Sequence, residues 1–171
     1  MRRVDREITK WEEIVDVLRR ADTIRLGLNG DSFPYVVPLS FGFEEVGGQI
    51  VIYIHCAKEG FKLVLLDKDN GVCVEADIFH RYTETEKGGL STLYESVIGF
   101  GTMEEVYGDE AVRGLDLICS HCGYHGFEWD VEQLSRFRVY KIALSSITGK
   151  RNLTQNLTQN LTQIVGEANN V

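Results

Sequence analysis

Residues 53–66 read YIHCAKEGFKLVLL, and within them His55, Lys58 and Lys62 are spaced around Gly60. The stretch begins as the end of an apolar strand and finishes with helical spacing, so three potentially cationic side chains converge on one turn. Such a junction gathers free backbone N–H groups, a glycine that lets a ligand come close, and lysine point charges, which together make a phosphate site. The same spacing also describes an ordinary turn with solvated helix-start lysines and a satisfied strand-end histidine. The chain as a whole carries 18 Lys+Arg against 26 Asp+Glu, a formal charge of −8. A local basic cluster against that background points to a small anionic ligand.

The acidic balance excludes a general affinity for nucleic acid or an anionic membrane surface, both of which require basic residues to displace counterions. MRRVDREITKW at the start has no apolar stretch of signal-peptide length, and no apolar run is long enough to span a bilayer. These features point to a soluble, cytoplasmic protein. Cys56, Cys73, Cys119 and Cys122 are then expected as free thiols. Cys119 and Cys122, in ICSHCGYHGF, stand beside His121 and His125, but a lone C-x-x-C without a distant second ligand pair lacks zinc-site spacing. Buried or half-buried helix cysteines are the expectation, with no metal.

The elements that must position the basic turn follow from periodicity. Thr9 as N-cap, Glu12 three residues later, and apolar Trp11, Ile14, Val15 and Leu18 predict an opening helix. TIRLGLN and FPYVVPLSFGF predict a hairpin, in which Pro38 requires a bulge or a sheet edge. IVIYIHCA, GVCVEAD, LYESVIGFGTMEEVY and RFRVYKIALSSITGKR read as further strands. Gly99 and Gly101 mark a bend or a close approach of another backbone. GFKLVLLDKD and DEAVRGLDLICSHCGY read as helices, and the polar FHRYTETEKGGLST, residues 79–92, as a long loop. Six strands and three helices on mostly short connections predict a small antiparallel barrel with helices outside, mainly β, occupying residues 1–151. Residues 152–171 form a separate tail. NLTQNLTQNLTQ, Asn152 to Gln163, repeats one four-residue unit three times. It is expected to be a disordered appendage, or a helix with Leu153, Leu157 and Leu161 on one side.

PYVVPLSF, YIHCAKEGFKLVLL, GVCVEAD, YESVIGFGTMEEV and ITGKRN, in that order, resemble the pyridoxamine 5′-phosphate oxidase-related flavoproteins, and most nearly their nitroimidazole-resistance (Nim) reductase branch. The resemblance implies a six-stranded antiparallel split β-barrel and a homodimer with FMN at the subunit interface. It implies that His55, Lys58 and Lys62 hold the FMN phosphate. Val37, Pro38, Leu39 and Ser40 would line the ring edge through their backbone, with Ser96 and Val97 near the same ring. Phe61 stands where phosphate-handling oxidases of the wider family have an arginine, so pyridoxamine 5′-phosphate oxidation itself is not implied.

The activity implied is FMN-dependent reduction of a small acceptor, such as a nitro-aromatic, with electrons from NAD(P)H. The flavin carries that chemistry, and no side chain is required as a catalytic nucleophile or base. Two other readings use the same fold. One is a flavin-binding or redox-sensing protein without turnover, and the other a haem-binding barrel with His55 or His80 on iron.

Overall fold

A computed structural model describes residues 3–153 of the chain. After a 3₁₀ turn at Val4–Arg6 come β1 (Glu7–Ile8), α1 (Trp11–Arg20), β2 (Ile24–Leu28), β3 (Tyr35–Leu39), β4 (Gly42–Val46), β5 (Gln49–Ala57), α2 (Phe61–Leu66), β6 (Gly71–Glu84), β7 (Leu90–Val106), α3 (Gly108–His121), α4 (Val131–Leu134) and β8 (Phe137–Asn152). The sheet order is β3-β2-β6-β7-β8-β5-β4, with β1 paired to β8. The fold is mainly β and antiparallel, as the alternating runs require. No helix among the described residues is long and apolar enough to cross a membrane.

Four expectations change, the first being that α4 (Val131–Leu134) is a fourth helix, among the described residues, where three were expected. Among the described residues eight strands are present where six were expected, because FPYVVPLSFGF divides at Ser40 and Phe41 into β3 and β4, and Glu7–Ile8 adds a short strand. Residues 79–92 are not a long loop: β6 continues to Glu84, and β7 begins at Leu90. Polarity hid the strand ends, because this part of the hairpin is largely exposed and needs no apolar face. Its turn is closed by Thr85 N–H to Gly89 O at 2.7 Å and Gly88 N–H to Thr85 O at 2.9 Å. Finally, the N-cap of α1 is Lys10, with no side-chain cap bond, so the Thr9 and Glu12 capping pattern is not used. Of the tail expected over 152–171, Asn152 ends β8, and the residues from 154 onward lie outside the described residues.

The chain divides into two compact units. The first comprises Asp22–Glu75 and Gly99–Ile147. Its core takes alternate residues from successive strands: Ile24, Leu26 and Leu28 of β2, Ile50, Ile52 and Ile54 of β5, and Ile142 and Leu144 of β8 are all buried. Each such side chain contributes roughly 1.5–3 kcal/mol on leaving water. The opposite face of β5 and β8 buries Tyr53 and Val139 with Val106, under Ala111, Leu115 and Ile118 of α3. Gly101 lies against the carbonyl of Ala143, where any Cβ would collide, so the expected close approach of another backbone is present. Pro38 pairs opposite Arg25 in an unbroken β2–β3 register. β3 ends the sheet, so the edge rather than a bulge accommodates the proline.

The second unit takes its described residues from Met1–Ala21, Ala76–Ile98 and Thr148–Val171. Ile14, Val15, Val17 and Leu18 of α1 are buried, as are Ile8, Leu93 and Val97. Ile8 pairs with Gly149, and the Asn152 side-chain amide donates to Thr92 O at 2.6 Å.

Candidate functional site

In the first unit, β5 delivers His55 at its end, two residues after the buried Tyr53 on the same face. The chain turns through Gly60, whose φ of 141° and ψ of 160° suit glycine alone, and whose missing side chain would face open space. α2 then starts at Phe61, held by the Leu63 N–H to Gly60 O bond at 3.0 Å. Buried Leu63 and Leu65 anchor this short helix, leaving Lys62 beside the strand end.

Lys62 and His55 do converge. Burial, and after it the charge of Lys62, lowers the His55 pKa from its ordinary 6.5. The neutral imidazole is therefore the resting form at pH 7. One face of its ring meets Phe137, with centroids 5.5 Å apart at 62°. Lys62 also hydrogen bonds with the neighbouring Cys56; burial nevertheless pushes that thiol up, against the pull of Lys62.

The edge strand reaches the same place. Tyr35 of β3 meets Phe61 of α2 edge-on, with centroids 5.4 Å apart at 89°. At the other end of α2, Lys68 pairs with Asp31 at 2.6 Å and Asn29 donates to Asp69 at 2.8 Å. The β2–β3 hairpin is thus fastened to α2 at both ends. Val37 and Leu39 are half-buried, and Pro38 and Ser40 exposed.

Lys58 is exposed, three residues past His55. It lines a cavity of about 430 Å³ together with Glu105, Tyr107, Leu134, Phe137 and Arg138. Ser96 and Val97 belong to the second unit, where Ser96 is half-buried and Val97 is 2% exposed.

A larger cavity of about 1140 Å³ in the first unit is lined by none of the residues expected to hold flavin. There the Tyr53 hydroxyl donates to Glu44 at 2.9 Å, and Glu44 also accepts from the Arg113 guanidinium. Burial, then the Glu44 bond, pushes Tyr53 up to about 12. Cys119 lines this cavity, half-buried, while Cys122 is exposed; both are free thiols. Among the described residues no cluster of three or more His, Cys, Asp or Glu side chains is placed to hold a metal ion.

Sequence reading missed a charged cluster in the second unit. Glu95, 2% exposed, accepts two bonds from Arg20 at 2.9 and 3.1 Å, and its Oε2 lies 3.0 Å from His80 Nε2. Arg20 also donates to Asp16 at 2.7 Å. Two signals existed: the i,i+4 spacing of Asp16 and Arg20, and a glutamate at an inward position between Leu93 and Val97. His80 therefore already uses one ring nitrogen on a carboxylate.

With this geometry in place, the chain can be set beside known proteins. The sequence pattern described as pyridoxamine 5′-phosphate oxidase matches residues 10–151, and the chain belongs to that family. Similar solved structures have the split-barrel fold. A putative 5-nitroimidazole antibiotic resistance protein from Bacteroides thetaiotaomicron is 27% identical with a TM-score of 0.75, over 84% of this chain and 85% of that one. An FAD-binding protein from Mesorhizobium loti is 18% identical with a TM-score of 0.61, over 86% and 98%. An FAD and haem binding protein from Mycobacterium smegmatis is 20% identical with a TM-score of 0.68, over 87% and 74%. No curated protein matches the chain.

Proposed function

We propose that this protein binds FMN and acts as an oxidoreductase, passing electrons from a nicotinamide nucleotide to a small oxidised acceptor such as a nitro-aromatic. The observation that carries this reading is the Tyr35–Phe61 contact, which sets the free edge of β3 beside the turn holding His55 and Lys62. A phosphate-tailed flat ring needs that combination: a cationic end and an open strand edge next to it.

The residues fit the group. The Lys62 ammonium supplies charge to the phosphate, and neutral His55 donates one hydrogen bond from its ring. Gly60 leaves the approach clear. Backbone groups of Val37, Pro38, Leu39 and Ser40 orient the ring, because an edge strand has unpaired N–H and C=O groups to offer. Ser96 and Val97 are proposed on family resemblance alone. Bound flavin would supply hydride and single-electron transfer. A homodimer with FMN at its interface is part of the proposal, supported by the same resemblance. The 27% identical neighbour, a putative nitroimidazole resistance protein, supports a nitro-aromatic acceptor.

The test is the absorbance spectrum of the purified protein and mass analysis of what heat releases. FMN, bleached by NADH or NADPH and recoloured by a nitro compound, is the expected result. FMN that no nucleotide reduces would leave a flavin carrier, and a haem band would replace the cofactor. In the Lys62→Ala variant, FMN affinity should fall about 10- to 100-fold, the scale of one charge-assisted bond.

A further inference from the structure

Lys58, assigned to the phosphate by resemblance alone, lines a cavity with a defined chemistry. Two cations, Lys58 and Arg138, face it with a single acid, Glu105. Glu105 is committed on both sides: it meets Arg138 at 3.4 Å and hydrogen bonds the Tyr107 hydroxyl. Lys58 has no ion pair among the described residues, so one positive charge is uncompensated. Phe137 and Leu134 supply apolar wall. A volume of about 430 Å³ lies in the range of small-molecule pockets. Phe137 is shared, because it touches the His55 ring on one side and the Trp129 ring, 6.2 Å away, on another. The cavity therefore borders the basic turn.

We propose that this cavity is a subsite for a flat aromatic carboxylate, with Lys58 and Arg138 on the carboxylate and Phe137 and Leu134 against the ring. This rests on the flavin reading only in making the ligand the electron acceptor; the binding itself stands without it. The acceptor would then be a nitro-aromatic acid in preference to a neutral nitroimidazole. A guanidinium and an ammonium lining one cavity suit a planar anion, and a neutral ring would leave the Lys58 charge uncompensated.

The experiment is calorimetric titration of the purified protein with 4-nitrobenzoate and with its neutral counterpart 4-nitrobenzyl alcohol. The acid should bind at least tenfold more tightly. Lys58→Ala and Arg138→Gln should each remove most of that preference, and Lys58→Arg should keep it. Bound flavin should stay in Lys58→Ala and be lost in Lys62→Ala. Equal affinity for acid and alcohol in the unaltered protein overturns the subsite. So does flavin loss in Lys58→Ala, which would return Lys58 to the phosphate while the flavin reading survives. Absence of flavin in every preparation, with the acid preference intact, would sink the flavin reading alone.

Discussion

Lys62 acts on two neighbours at once, adding to burial in depressing the His55 pKa and holding the Cys56 thiol by a hydrogen bond. The folded state resists protonation of His55 relative to the unfolded chain, so between the depressed value and 6.5 the unfolded chain binds more protons. Stability from this group is full above pH 6.5 and is lost as pH falls through the folded value. Without flavin, the His55 ring should titrate below 6.5 by proton NMR, and bound FMN should move the midpoint upward, because the phosphate anion favours imidazolium. An unmoved midpoint would separate His55 from the phosphate. At Glu95 the cost is larger. Glu95→Ala would leave the half-buried Arg20 without its bidentate partner, and denaturant unfolding should register a loss of about 3–5 kcal/mol. Sequence showed the turn because types and spacing converge within eight residues, from His55 to Lys62. It missed Glu95 with Arg20 because that pairing crosses 75 positions. It also could not show the cavity that Lys58 lines, since that depends on β8 supplying Phe137 and Arg138 alongside.

At the scale of elements, alternation made β2 visible, since it buries every second residue, while β5 and β8 showed as apolar runs buried partly on both faces. The outer hairpin of β6 and β7 escaped because exposed strands have no apolar face to betray them. Gly101 was legible as a close approach, and its consequence is measurable. Gly101→Val should cost about 1–3 kcal/mol through overpacking against the Ala143 carbonyl, read as a lower melting temperature. Unchanged melting would mean that β7 and β8 can separate freely there. The division of FPYVVPLSFGF into β3 and β4 also has a purpose in the site. A strand interrupted after Leu39 leaves β3 short and terminal, and fastened to α2 through Tyr35 and Phe61.

For the molecule as a whole, cofactor and assembly should be linked if FMN lies between two copies of the chain. A ligand bound only by the assembled form stabilises it by mass action. Sedimentation at low protein concentration should therefore show more dimer with added FMN than without it, and the Lys62→Ala variant should show no such gain. A single species independent of FMN would remove the interface placement.

Pro38 has a second consequence. β3 is the last strand of its sheet, and a free strand is a template on which another polypeptide can extend the ladder. A proline in its fourth position offers no N–H to an incoming chain, so a stranger registering there meets a missing rung. If a flat ring lies along this margin, the residue that leaves room for it would also discourage an added strand.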